Sequence, residues 1–264
     1  MIDPRAVIDP GARISDDVSI GPFSVIGPDV SIGPGTRIGS HAIITGHTTI
    51  GAQCQVYHFA TLGESPQDTA YRDEPTRLMI GDRNVIREYV TISRGTPRGG
   101  GVTRIGNDNL IMAYAHIAHD CQVGDHTVFA NAASLAGHVS VGDHAILGGF
   151  TLVHQFCRIG PHAFTSMGAA LNRDLTPYTL ASGNYARAVG INKRGLKRRG
   201  FPPETVRILH QVFKLLVCGR NRASAMAAAE EIAREIPEVD HFVRFVKESK
   251  RGIVRSGRRH GSDS

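Results

Sequence analysis

A strict six-residue repeat of branched aliphatic residues constrains this chain more than any other feature. The repeat runs without a miss from Ile2 to Leu62, returns at Ile80, and continues from Ile105 to Ile159 in a phase shifted by one residue. This period is typical of a parallel β-helix, in which each hexapeptide supplies one short strand and one turn. Three hexapeptides close a triangular coil, so residues eighteen apart stack about 4.8 Å from each other.

The stacking brings chemically active side chains together. Counting eighteen residues on from His119 gives Gly137 and then Gln155, while Asp120 and His138 fall in the neighbouring column. Because these residues converge, we interpret them as a functional site. Two further histidines on neighbouring coils belong to the same group, His116 and His154. The other histidines of this block are interpreted as surface residues: His126, His144 and His162.

Two polar segments interrupt the repeat, near residues 64–79 and 94–104. An excursion from a rigid solenoid is where a site loop is expected. The second contains the run Arg94-Gly-Thr-Pro-Arg-Gly-Gly-Gly101. Its glycines have two interpretations, a cradle for a phosphate group or a flexible insertion.

Beyond about Gly183 the pattern becomes that of amphipathic helices. We predict one helix over residues 202–217, with proline at its start, a second over 224–235, and a third that begins near Pro237. The chain is therefore divided into a β-helix domain, residues 1–190, a helical domain, residues 191–255, and a tail, residues 256–264. Disorder is expected after Gly252.

Charge and cysteine usage narrow the function classes. The net charge is +6, but residues from Lys193 onward hold 17 Lys/Arg against 8 Asp/Glu, which suggests an acidic partner: nucleic acid, a membrane surface or an acidic protein. Cys54, Cys121 and Cys157 occupy small inward positions of the repeat, so we predict core thiols rather than metal ligands. No signal peptide or membrane-spanning run is recognisable, and a cytoplasmic location is expected.

Five segments of the chain are more specific than the repeat: Ala115-His-Ile-Ala-His-Asp-Cys121, Leu135-Ala-Gly-His-Val139, Val153-His-Gln-Phe-Cys157, Gly81-Asp-Arg-Asn-Val-Ile-Arg-Glu88 and Gly195-Leu-Lys-Arg-Arg-Gly-Phe201. With them the chain resembles the acyl-carrier-protein–UDP-N-acetylglucosamine O-acyltransferases of lipid A biosynthesis, a likeness that covers essentially the whole length. The hexapeptide repeat alone is shared by many acyl- and nucleotidyltransferases, so these segments carry the resemblance.

The resemblance implies a left-handed β-helix, a homotrimer, and active sites between neighbouring subunits. It also implies transfer of an (R)-3-hydroxyacyl chain from acyl carrier protein to the 3-position of UDP-N-acetylglucosamine, the first step of lipid A biosynthesis, with no cofactor, metal or nucleic acid. His119 corresponds to the general base, Asp120 to the residue that orients it, and Gly137 to the oxyanion donor. The implied substrate contacts are Gln67, Asp68, His116, His138, His154, Gln155, Asn192, Arg198 and Arg199. Met167 corresponds to the residue that limits acyl length, and methionine there implies a shorter chain than glycine-bearing relatives take.

The residue types suit this chemistry. A sugar hydroxyl needs a base to remove its proton as it attacks, and an imidazole with an ordinary pKa of about 6.5 can serve. Three positions depart from the family pattern, which commonly has lysine at Ala70, histidine at Ser93 and glutamate at Arg194. All three concern the nucleotide or sugar-phosphate end. Arg72 and Arg94 are the candidates to supply the missing charge.

Several alternatives remain at this point. The acceptor could carry a 3-amino group instead of a 3-hydroxyl, and the N-acyltransferase of the same pathway is a related possibility. A γ-type carbonic anhydrase uses the same fold but needs three converging imidazoles around zinc. Here the positions that stack on His119 are Gly137 and Gln155, which are not histidines. A purely structural solenoid without chemistry completes the set of alternative functions. For Met167, the alternative to a role in acyl length is that it only fills the core.

Overall fold

The protein winds into a prism of short parallel strands. The structure, a computed structural model, describes residues 1–219 and 222–257. In chain order the first strands are β1 (Val7–Ile8), β2 (Arg13–Ile14), β3 (Ser19–Ile20), β4 (Val25–Ile26), β5 (Ser31–Ile32), β6 (Arg37–Ile38), β7 (Ile43–Ile44), β8 (His47–Ile50) and β9 (Gln55–Val56). They are followed by β10 (Thr61–Glu64), β11 (Arg77–Ile80), β12 (Val85–Ile86), β13 (Thr91–Ser93), β14 (Val102–Ile105), β15 (Leu110–Ile111), β16 (His116–Ile117), β17 (Gln122–Val123) and β18 (Val128–Phe129). The last are β19 (Ser134–Leu135), β20 (Ser140–Val141), β21 (Ile146–Leu147), β22 (Leu152–Val153), β23 (Arg158–Ile159), β24 (Phe164–Thr165), β25 (Ala170–Leu171), β26 (Thr179–Ser182) and β27 (Arg187–Ile191).

Every third strand joins the same sheet, so the prism has three faces of nine, eight and ten strands. The predicted register holds: His116 pairs with Ser134, eighteen residues on, and Ile117 pairs with Leu135. The nine-stranded face contains β16, β19, β22 and β25, and the eight-stranded face contains β17 and β20. The ten-stranded face ends with β26 and β27, which pair antiparallel.

The repeat positions form the buried core, with one correction at the N-terminal end. Ile20 and the aliphatics after it are buried, but Ile2 is 44% exposed, and Ile8 and Ile14 are only partly covered. The first coil has no coil beneath it, so its inward residues keep contact with solvent. The three predicted core cysteines are buried, and burial raises the pKa of Cys121 to about 12, as expected of an inert thiol.

Glycine at the corners is required by close approach of the next coil. A Cβ on Gly33 would lie 2.7 Å from a backbone carbon of Gly51, closer than packed atoms approach. The left-handed backbone conformation falls two residues later, on residues that are mostly not glycine, such as Asp120 with φ of 60° and His138 with φ of 60°.

The C-terminal helices are α1 (Lys193–Arg198), α2 (Pro203–Phe213), α3 (Arg222–Ala233) and α4 (Pro237–Glu248), and a π-helical turn, Lys214–Cys218, extends α2. The three predicted helices are present with ends shifted by a few residues, whereas α1 was not predicted. The expectation of disorder after Gly252 was wrong at Ile253 and Val254. Ile253 and Val254 are buried, and the Val254 N–H donates to the Asp174 carbonyl. Residues 258–264 of the predicted tail lie outside the described part.

The three corners of the prism carry different residues. The aromatic corner, between the ten- and nine-stranded faces, presents five stacked rings 4.9–5.1 Å apart: Phe23, His41, Phe59, Tyr89 and Tyr114. The His119 corner joins the nine- and eight-stranded faces. The Arg199 corner, between the eight- and ten-stranded faces, carries a stack of His126, His144 and His162 beside Arg199. Within residues 1–219 and 222–257, no helix is long and apolar enough to cross a bilayer.

Candidate active site

His119 and Asp120 form a buried pair at the corner that follows β16. His119 Nδ1 lies 2.8 Å from Asp120 Oδ2, and the two residues are only 8% and 4% exposed. A Cβ placed on Gly137 would lie 2.5 Å from His119 Cε1 and 2.7 Å from Nε2. Gly137 therefore lies against the free edge of the imidazole, where the stacking predicted it. Asp120 fixes Nδ1 as the donor, which leaves Nε2 able to accept a proton.

The second loop covers the Asp120 carboxylate. Thr96 donates its backbone N–H to Oδ1 at 2.8 Å and its hydroxyl to Oδ2 at 2.7 Å. A Cβ on Gly99 would lie 2.0 Å from Asp120 Cγ, so glycine is required there as well. Neither predicted interpretation of this loop, phosphate cradle or flexible insertion, describes these contacts. Thr96 was missed, although β13 stacks beneath β16 and the loop after it must begin at the corner beneath His119.

His138 lies beside the pair. Its ring meets the ring of His119 edge-on at 5.1 Å, and Nε2 is 3.6 Å from Asp120 Oδ2. Burial lowers the pKa of His138, and the carboxylates of Asp120 and Asp68 oppose that shift. The lowered pKa favours the neutral form of His138, which can form a hydrogen bond to a polar ligand.

His116 and His154 line a groove on the nine-stranded face. This groove, of about 520 Å³, continues over Leu152 and Ala170 to Tyr185. His116 Nδ1 is 2.7 Å from the Thr91 hydroxyl, and burial lowers the pKa of His116, with a smaller effect from His119. His154 is exposed, and its Nδ1 donates to the Gln155 carbonyl at 3.1 Å. The groove is mostly apolar, and its lining includes Ala136, the residue before Gly137.

The two loops are tied together by Arg94. Its guanidinium donates to the Tyr71 hydroxyl, the Gly63 carbonyl and the Ser65 hydroxyl, at 2.9–3.1 Å. Arg94 is therefore engaged within the chain, and of the two candidates for the missing charge only Arg72 is exposed.

The predicted contacts of the first loop lie at the edge of the site. Asp68 is partly buried and accepts the Ala70 N–H at 2.9 Å, and Gln67 is exposed. The electrostatic influence of Asp68 on His138 shows that this loop reaches the His119 corner.

The C-terminal candidates lie at a different corner. Asn192 is buried, accepts the Gly195 N–H at the start of α1, and donates to the His162 carbonyl, so its side chain has internal partners. Arg198 and Arg199 are exposed, and within the described part of the chain neither forms an ion pair. Burial is the main cause that lowers the pKa of His162, and the charges of His144 and Arg199 lower it further. One chain therefore does not bring these arginines to His119.

His119, Asp120 and His138 are also the one group in the described residues whose ligand atoms, all within 4.8 Å, could surround a metal. The contacts favour a hydrogen-bonded arrangement, because both Asp120 oxygens accept from Thr96 and His119 Nδ1 faces Oδ2. Two imidazoles are one fewer than a γ-type carbonic anhydrase needs.

Comparison with known proteins decides the family. A profile described as UDP N-acetylglucosamine O-acyltransferase, domain 2, matches residues 174–254, and a bacterial transferase hexapeptide profile matches residues 11–46 and 103–137. The acyl-[acyl-carrier-protein]–UDP-N-acetylglucosamine O-acyltransferase of Alkalilimnicola ehrlichii is 52% identical over 96% of this chain and 99% of its own. The equivalent protein of Thiobacillus denitrificans is 53% identical over the same shares. The chain belongs to this acyltransferase family.

Solved structures agree. The Francisella novicida UDP-N-acetylglucosamine acyltransferase superposes with a TM-score of 0.95 at 40% identity, covering 98% of this chain and 95% of that one. LpxA of Acinetobacter baumannii superposes with a TM-score of 0.93 at 42% identity, covering 96% of this chain and 99% of that one. The predicted left-handed parallel β-helix with C-terminal helices is thus confirmed.

The residue predicted to limit acyl length, Met167, has an exposed side chain. Met167 is 77% exposed at the aromatic corner, so the interpretation that it fills the core is wrong. Its Cγ lies 4.0 Å from where a Cβ of Gly149 would be. The turn that carries Met167 leads directly into β25, whose Ala170 lines the groove.

Proposed function

We propose that this protein transfers an (R)-3-hydroxyacyl chain from acyl carrier protein to the 3-hydroxyl of UDP-N-acetylglucosamine, the first step of lipid A biosynthesis. The observation that carries the proposal is the His119 imidazole, oriented by buried Asp120 with its free edge against Gly137. The names of the full-length relatives support the substrates. A cytoplasmic location is part of the proposal, since both substrates would be drawn from there.

In this mechanism His119 Nε2 removes the proton from the sugar hydroxyl as its oxygen attacks the thioester carbon. The Gly137 N–H makes no hydrogen bond within the described residues, so it is free to stabilise the resulting oxyanion. One such donor is worth roughly 2.7–4 kcal/mol. Collapse of the intermediate breaks the C–S bond, and the proton on Nε2 goes to the departing thiolate. Asp120 stabilises the imidazolium that exists between these steps.

A homotrimer would complete the site. If the His119 corner of one chain meets the Arg199 corner of the next, Arg198 and Arg199 can reach a diphosphate held beside His119. A closed three-fold ring built from this contact leaves the remaining corner of each chain to face either the axis or the outside, and we place it at the axis. That is the aromatic corner, where Tyr114 is 62% exposed and a row of stacked rings lacks a cover. Burial of these rings would stabilise the assembly.

In this proposal the sugar nucleotide is contacted by Gln67, Asp68 and His138 of one chain. Asn192 is a further predicted contact. Arg94 is held by hydrogen bonds to the preceding loop. Arg72 is exposed, although its Nη1 donates to two backbone carbonyls of its own loop, so it is the better candidate for the charge that the family's lysine supplies at Ala70. The same base and oxyanion donor would serve a 3-amino acceptor, so the hydroxyl is the proposal and the amine its alternative.

Carrier protein would dock on the helical part. Lys193, Arg194 and Lys197 are exposed on α1, close in sequence to Arg198. An acyl carrier protein is acidic, so this surface attracts it. Residues 1–190 would then carry the chemistry and residues 191–255 much of the docking.

The test is to incubate the purified protein with 3-hydroxyacyl carrier protein and each of two acceptors, UDP-N-acetylglucosamine and its 3-amino analogue. We expect a 3-O-acyl product from the first, identified by mass spectrometry, at a higher kcat/KM than the second gives. Faster transfer to the amine would replace the proposed acceptor, and no product with either would overturn the proposal.

A further inference from the structure

The second loop has a contact with the catalytic pair that the proposed mechanism does not use. Thr96 lies on that loop and is 2% exposed. The side chain of Asp120 is 1% exposed and receives three short hydrogen bonds, of which two come from Thr96 and one from His119. A buried carboxylate is costly unless its oxygens are paired, so these donors govern both its charge and its position.

We propose that Thr96 is a positioning residue for acyl transfer. By holding Asp120 through both its N–H and its hydroxyl, it fixes the oxygen that orients His119. The inference rests on the proposed function, because it presumes that His119 acts as the base.

The carboxylate has little freedom apart from Thr96. The Asp120 N–H donates to the Thr103 hydroxyl at 2.8 Å, which fixes the left-handed backbone at this residue. Thr103 thus holds the main chain, and Thr96 holds the side chain. Gly99 closes the remaining space, since a Cβ there would collide with the carboxylate, whereas Gly100 and Gly101 have open space around them.

The loop itself is anchored, so it can act as a rigid support. Arg94 ties the start of the loop to Gly63, Ser65 and Tyr71 of the preceding loop. The short 3₁₀ turn Pro97–Gly99 begins at Thr96, whose hydroxyl also accepts the Gly99 N–H at 3.3 Å. A support of this kind keeps a base within reach of its substrate proton in every turnover.

The simpler role for Thr96 is to begin the 3₁₀ turn, with no effect on chemistry. The two roles differ in what Thr96→Val does. Valine keeps the shape and the N–H bond but removes the hydroxyl donor to Oδ2. If Thr96 positions Asp120, kcat/KM falls about tenfold, the typical size of losing one hydrogen bond to a charged group. The acid limb of the kcat/KM profile then also moves to higher pH, because an oxygen that has lost a neutral donor attracts the imidazolium more strongly. The other imidazoles near His119, those of His116 and His138, are present in both wild type and variant.

Two matched variants separate the roles. Thr96→Ser keeps the hydroxyl and should return kcat/KM to within about threefold of wild type. Thr127→Val removes another buried hydroxyl, which donates to Asn109 Oδ1 at 2.7 Å away from the site, and should leave both kcat/KM and the acid limb in place. If Thr96→Val does not fold, Gly99→Ala tests the same contact by displacing the carboxylate, and should lower kcat at a cost in stability of roughly 1–3 kcal/mol from overpacking.

A double-mutant cycle completes the test. In an Asp120→Ala background, adding Thr96→Val should change kcat/KM by less than about twofold, because its target is gone. Equal effects of Thr96→Val with and without Asp120, or an unmoved acid limb with wild-type kcat/KM, would overturn the inference. If instead His119→Ala stays active, the assignment of His119 as the base fails, and if the wild-type protein acylates neither acceptor, the proposed function fails. Both outcomes are distinct because neither involves Thr96.

Discussion

The contact between Gly137 and His119 allows the position of the base to be tested without touching it. Gly137→Ala adds one methyl group that would lie 2.5 Å from His119 Cε1 and 2.7 Å from Nε2. Ordinary contacts are about 3.5 Å, so the imidazole must retreat by roughly 0.8–1 Å. A misplacement of about 1 Å costs on the order of 10²-fold in rate. The alanine retains its N–H, so the loss reports displacement of the base and not removal of the oxyanion donor.

The assay is kcat for 3-hydroxyacyl carrier protein at saturating UDP-N-acetylglucosamine, with the melting temperature measured in parallel. We expect kcat to fall about 10²-fold, at a cost in stability of roughly 1–3 kcal/mol from overpacking. Gly27→Ala is the matched control, because a Cβ there meets nothing closer than 3.4 Å at the same corner of an earlier coil. A Gly137→Ala enzyme within about threefold of wild type would refute the assignment of the Nε2 edge to catalysis.

Three further predictions concern chain length, docking and pH. Met167→Gly should shift the preference of the enzyme to longer acyl chains, and the ratio of turnover between chains that differ by two methylenes should change by about tenfold. The measurement is turnover across a series of hydroxyacyl carrier proteins of increasing chain length, and an unchanged optimum would mean that the groove ends elsewhere. Charge reversal at Lys193, Arg194 and Lys197 should raise KM for carrier protein, as should added salt for the wild type, and salt-independent kinetics would contradict a basic docking surface. Burial lowers the pKa of His162 to about 4, so the unfolded chain takes up a proton below about pH 6.5 that the folded chain refuses until near pH 4. The free energy of unfolding should therefore fall by up to about 2 kcal/mol between pH 7 and 5, and by less in His162→Phe; equal losses in both proteins would contradict this.

The periodic part of the fold was predictable because the repeat converts spacing into position. Eighteen-residue stacking put Gly137 above His119 and Asp120 beside it, and those contacts are present. The helices α2 and α4 also followed from local signals, a proline at the start and an apolar face. These features depend only on residues near each other in sequence or in register.

The aperiodic parts were not predictable in the same way. The conformation of residues 94–101 depends on Arg94 meeting Tyr71 and on Thr96 meeting Asp120, and no period relates those pairs. The return of Ile253 onto the end of the prism likewise depends on tertiary packing of a short apolar pair. The corner that carries Arg199 became clear only when α1 was located. Sequence spacing therefore found the His119–Asp120 pair but not the loop that holds it.

The central claim is that His119 is the base of an acyl transfer to UDP-N-acetylglucosamine. The most direct measurement compares His119→Ala with His126→Ala, a histidine on the Arg199 corner, under saturating hydroxyacyl carrier protein. We predict a loss of at least about 10²-fold for His119→Ala, a typical contribution of general base catalysis, and near wild-type turnover for His126→Ala. Turnover by His119→Ala above a few per cent of wild type would contradict the claim.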